Sequence, residues 1–99
     1  MTHRVVYAPR SRRDLEKIRA YLATESGNPA TADRFLTKLF EHCEALKTFP
    51  TRYAIYPYAR SWRMMPFEDY LVFFDVHESL VRIAHIRHGA RKPFPGGRG

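Results

Sequence analysis

The sequence predicts an α+β fold of two layers, and three observations carry that reading. Apolar residues recur at helical spacing in two consecutive stretches of the N-terminal half. Three strand-type runs follow in the C-terminal half, and one of them, YLVFFDV at 70–76, is apolar almost throughout. A helical hairpin laid on one face of an antiparallel meander buries all of these surfaces in a shared core.

Residues 4–8, RVVYA, form a short β-type run ended by Pro9. In SRRD, Ser11 stands as a helix N-cap with Asp14 completing a capping-box arrangement, near the positive end of the helix dipole. Leu15, Ile18, Tyr21 and Leu22 then recur at helical spacing, which predicts an amphipathic helix over 11–25 stopped by Gly27. Asn28 caps a second helix whose first turn holds Pro29, where a missing N–H costs nothing. Ala32, Phe35, Leu36, Leu39, Phe40, Cys43 and Leu46 form its apolar stripe, so this helix is expected over 29–47. So short a connection makes the two helices pack antiparallel.

Phe49-Pro50 ends the hairpin, and residues 50–61, with Tyr53, Tyr56, Pro57 and Tyr58, read as an irregular connector. Strands are expected at 62–67, 70–76 and 80–87, the last two joined by a turn at His77, Glu78 and Ser79. Ile83 and Ile86 differ in parity, so an undistorted strand cannot turn both to one side, and a bulge is expected there. The first strand must enter this sheet from far away in sequence, at an edge or beside the last strand. The order β-α-α-β-β-β fits a single domain over 1–99, with an ordered core at about 3–92 and a loose tail at 93–99 rich in Gly and Pro.

Composition narrows the function classes. The chain is 44% hydrophobic, enough for a core and too much for wholesale disorder. A single cysteine, Cys43, allows no internal disulfide and belongs to the apolar stripe; no Cys/His group has zinc spacing, and no phosphate-loop pattern occurs. Neither a secretory leader nor a membrane span is expected, and a reducing cytoplasm is the natural setting. The net charge of +7 is unevenly placed. Residues 1–13 and 79–99 carry Arg and Lys but no acid, while the middle is close to balanced. Such asymmetry points to a polyanionic or acidic partner. Arg10, Arg12 and Arg13 read first as a solvated helix start.

Several segments, taken in order, resemble the ParE/RelE superfamily of toxins from type II toxin–antitoxin systems, and its ParE branch more closely. These are VVYAPRSRRDLEKI, NPATADRFLTKLFEHCEAL, RMMPFEDYLVFF with Arg63, Pro66, Tyr70 and Phe73, and the closing IRHGAR with His88, Gly89 and Arg91. The similarity covers about residues 4–92. His85 and Asp75 depart from it, since relatives commonly hold Arg at both places.

The resemblance implies a growth inhibitor without a cofactor, which binds DNA gyrase, traps it during strand passage, and is neutralised by an acidic ParD-like antitoxin. Target contacts are expected from Arg63, His85, Arg87, His88, Arg91, Lys92 and Phe94. The antitoxin is expected to dock over Tyr21, Phe40, Trp62 and Met64, although each of these also fits a core role. Two alternatives stay open. One is a ribosome-dependent mRNA endonuclease of RelE type, for which His88, Arg91 and Arg63 are the candidate catalytic residues. The other is an inactive toxin that only binds its antitoxin as a co-repressor. For His85 the plainer reading is a strand histidine hydrogen-bonded within the sheet.

Overall fold

In a computed structural model that describes residues 2–89, the predicted order appears as β1 (Arg4–Tyr7), α1 (Pro9–Ser26), α2 (Pro29–Glu44), β2 (Arg63–Phe67), β3 (Tyr70–His77) and β4 (Leu80–His88). Among the described residues the strands form one four-stranded sheet in the order β1-β4-β3-β2. β2, β3 and β4 make the antiparallel meander, and β1 joins its edge parallel to β4, pairing Arg4 with Leu80 through Tyr7 with Ile83. Both two-residue turns of the meander start on a glutamate at positive φ, Glu68 and Glu78.

The helix boundaries follow local chemistry, with one correction. α1 begins at Pro9, and Ala8 caps it without a side-chain bond. Ser11 is not the cap: it lies inside the helix, fully buried, and donates its hydroxyl to the Ala8 carbonyl at 2.8 Å. Pro9 supplies the fixed φ that starts the turn two residues early, and the Asp14 carboxylate is engaged elsewhere. Gly27 ends α1 at φ 69, in the left-handed region. Asn28 caps α2 as expected, its side chain accepting from Ala30 N–H at 3.0 Å. α2 stops at Glu44, and a 3₁₀ turn, Ala45–Lys47, carries Leu46 into the core.

One face of the sheet receives the hairpin. Leu15, Ile18, Leu39, Cys43 and Leu46 pack there against Met65, Phe67, Val72, Phe74, Val81, Ile83 and Ile86. The bulge expected in β4 is present: Phe74 pairs with Ile83 but Phe73 pairs with His85, which leaves Ala84 as the extra residue. It restores parity, so Ile83 and Ile86 both face the helices.

Phe73 has the opposite parity and is fully buried outside that core. The connector covers it from the second face, with Tyr56 edge-on at 4.7 Å and Trp62 at 5.4 Å between ring centroids. The connector is therefore less irregular than expected. It holds a 3₁₀ turn at Pro50–Arg52 and a bridge from Ile55 to Arg63.

Phe40 is not part of the buried stripe; it is 40% exposed and meets Tyr7 edge-on at 5.8 Å. One position beyond the fully buried Leu39, it is turned roughly 100° around the helix. Leu39→Ala is therefore expected to cost about 2–5 kcal/mol through the cavity it leaves, and Phe40→Ala about 1 kcal/mol or less. Urea denaturation of the two variants checks this ordering.

Candidate cationic groove

On α1, Arg10, Arg13, Lys17 and Tyr21 follow one another at steps of three and four residues, which aligns them on one side of the helix. That side faces the end of β4. Between the two elements lies an open groove of about 830 Å³, lined on the helix wall by Arg10, Arg13, Asp14, Lys17, Ile18 and Tyr21. The sheet wall is made by Tyr70, His85, Ile86, Arg87 and His88. Two chain segments far apart in sequence thus contribute cations to one surface, and Asp14 is the lone acid among the lining residues.

Asp14 explains how the walls are joined. β1 has run out here, its last bond to β4 being Ala8 N–H to the Ile83 carbonyl at 2.9 Å. Asp14 Oδ2 takes over that edge, accepting the Ile86 N–H at 3.0 Å and lying 2.7 Å from His85 Nδ1. An ionised carboxylate can only accept, so Nδ1 carries the proton. Burial pushes the Asp14 carboxyl up, but the His85 and Ile86 hydrogen bonds and the charges of His85 and Arg10 outweigh it and hold the group below its ordinary 3.8. The His85 ring stacks on Phe73 at 5.8 Å and 16°. It is thus a buried strand histidine whose Nδ1 bonds to Asp14 on α1, where its plainer reading had a bond within the sheet.

The expected contact residues separate. Tyr21, His85, Arg87 and His88 come together along the groove, with the His88 ring edge-on to Tyr70 at 5.4 Å. Arg63 does not join them. It lies on β2, at the far edge of the sheet, and its Nη1 donates to the carbonyls of Tyr53 at 2.7 Å and Thr51 at 3.2 Å. Its role is to hold the connector.

Trp62 and Met64 are on the second face near Phe73, and Phe40 is beside β1, so the four residues expected under the antitoxin occupy three places. Arg91, Lys92 and Phe94 lie outside the described residues. Arg10, Arg13 and Lys17 are groove residues that the sequence does not single out as contacts; their helical spacing is the available signal, but what they face is set by the register of β1 on β4.

Other chemistry finds little support. Among the described residues no cluster of three or more His, Cys, Asp or Glu could hold a metal ion, and no helix is long and apolar enough to cross a membrane. Burial pushes the Cys43 thiol up to about 11, so it is protonated at neutral pH and a poor nucleophile.

Comparison with known proteins adds a family. Residues 5–93 match the sequence profile of the family described as the ParE toxin of type II toxin-antitoxin system, parDE. Among solved structures the chain is similar to one described as the chromosomal ParDE TA system from P. aeruginosa. The TM-score is 0.78 at 18% identity, covering 88% of this chain and 96% of that one, and this likeness is one of fold. No curated protein matches the sequence.

The depressed carboxyl of Asp14 fixes the sign of a pH effect. Its contribution to stability is complete above the unfolded value near 3.8 and is lost as pH falls through the lower folded value. Asp14→Asn should cost on the order of 1–2 kcal/mol near neutral pH, and the gap to wild type should close below pH 3.8. Denaturant titrations across that range check it, and a gap that stays constant with pH rules the assignment out.

Proposed function

The chain belongs to the ParE toxin family of type II toxin–antitoxin systems, and from that premise we propose that it arrests bacterial growth by docking its cationic groove on DNA gyrase. A cognate acidic antitoxin silences it, and the action takes place in the cytoplasm, where the target works. The observation that carries the reading is the meeting of Arg10, Arg13 and Lys17 with Arg87 and His88 across one groove. A field of one sign on a rigid helix and strand steers an acidic or DNA-bound surface toward it and fixes the docking register.

Binding without cleavage has the better support. Cleaving RNA asks for a base and an acid at one phosphate. Of the candidate catalytic set, Arg63 stands at the far edge of the sheet with its guanidinium on connector carbonyls, and the nearby His85 has Nδ1 bonded to Asp14. The groove instead offers fixed cations and aromatic rings, Tyr21 and Tyr70 among them.

Induction in a bacterial host separates the readings. Gyrase trapping gives covalent cleaved complexes and DNA damage, an endonuclease gives truncated messages, and an inactive toxin gives neither. Substituting Arg10, Arg13 and Lys17 together by Ala is expected to weaken gyrase binding by roughly 10-fold or more. Replacing Arg87, Arg91 and Lys92 by Ala should abolish growth inhibition and leave a folded protein that still binds antitoxin. Full toxicity in both triple variants would falsify the groove assignment.

A further inference from the structure

We propose that Asp14 is a positioning residue for target docking: its carboxylate, shared between the Ile86 N–H and the His85 ring, sets the spacing of the two cationic walls. The proposal rests on the groove reading above. Past Ile83, where the β1 bonds stop, β4 continues to His88 with its outer edge toward α1. An edge left to itself frays or pairs elsewhere. Here the Asp14 oxygen occupies it at Ile86, directly before the two docking residues Arg87 and His88.

On the helix side Arg13 is the preceding residue, with Arg10 and Lys17 about one turn away in either direction. A shift at this one oxygen therefore moves both walls. The second bond adds direction. His85 is stacked on Phe73 and lies 6.2 Å from Trp62, so the carboxylate is tied to the aromatic cluster on the second face as well as to the strand backbone. Asp14 is 15% exposed at its side chain and His85 9%, so solvent competes weakly for either bond. A group that contacts the target is not needed for this role; geometry is transmitted through Ile86 and His85.

The test compares Asp14→Ala, which removes both bonds, with Asp14→Asn, which keeps an oxygen able to accept from Ile86. Each is measured for affinity to purified gyrase at a temperature where circular dichroism shows it folded, beside the Arg10/Arg13/Lys17→Ala variant. Amide hydrogen exchange is followed at Ile86 and Arg87. Asp14→Ala should lose on the order of 10-fold in gyrase affinity, the size expected for a charge-assisted bond. Exchange should rise at Ile86 and Arg87 while β3 stays protected, and Asp14→Asn should return affinity to within about 3-fold of wild type.

Wild-type affinity in Asp14→Ala, with the three-cation variant impaired, overturns this proposal and leaves the groove reading in place. Equal losses in Asp14→Ala and Asp14→Asn overturn it too, since charge and not position would then matter. Undiminished binding by the three-cation variant removes the groove reading and this one together.

Discussion

The carboxylate of Asp14 ties the start of the first helix to the end of the last strand, a constraint added on top of the packed core. It joins two residues 71 positions apart, one on the first helix and one on the last strand. Closing so long a loop is entropically unfavourable, so the contact belongs to a chain whose hairpin and meander are already packed. Hydrogen bonds to a charged group contribute about 1.5–3 kcal/mol each, a sizeable share of the roughly 5–15 kcal/mol that holds a domain of this size. An unpaired carboxylate at the same place would carry the cost of its own desolvation.

That contact is possible because β4 changes parity at Ala84. Without the extra residue, one of Ile83 and Ile86 would leave the helix face and the other would stay. With it, both isoleucines enter the main core, while His85 pairs with Phe73 and keeps the second face. A bulge beside a site is a common way of re-aiming side chains. In this fold it aims a histidine at the helix and an isoleucine amide at the same acid.

The second face gives the sheet a function beyond supporting a core. Phe73, Tyr56 and Trp62 form a small aromatic cluster under the connector, and Arg63 holds that connector by its carbonyls. With β3 covered on both sides, the strand run that is apolar almost throughout has a buried place for apolar residues of either parity. The groove is then left as the place where cations gather, at the junction of helix start and strand end. Gathering them costs mutual repulsion, which the ionised Asp14 among them offsets.

Local spacing determined most of the architecture: apolar period distinguishes helix from strand, and Gly27, Asn28 and Pro29 mark a hairpin whatever the remainder of the chain does. The parity conflict between Ile83 and Ile86 even exposed the bulge. The sequence by itself also located the basic chain ends and their family resemblance. Tertiary structure alone decided which cations meet. Arg10 and Arg13 read as part of a solvated helix start, and Arg63 as an extension of the patch. The pairing of β1 with β4 brought the first group to Arg87 and His88, while the strand order sent Arg63 to the opposite edge. Asp14 was equally illegible, because a capping acid and a cross-fold clamp have the same local sequence. A side chain bonds to the partner that burial makes strongest, and that partner is known only when distant segments have taken their places.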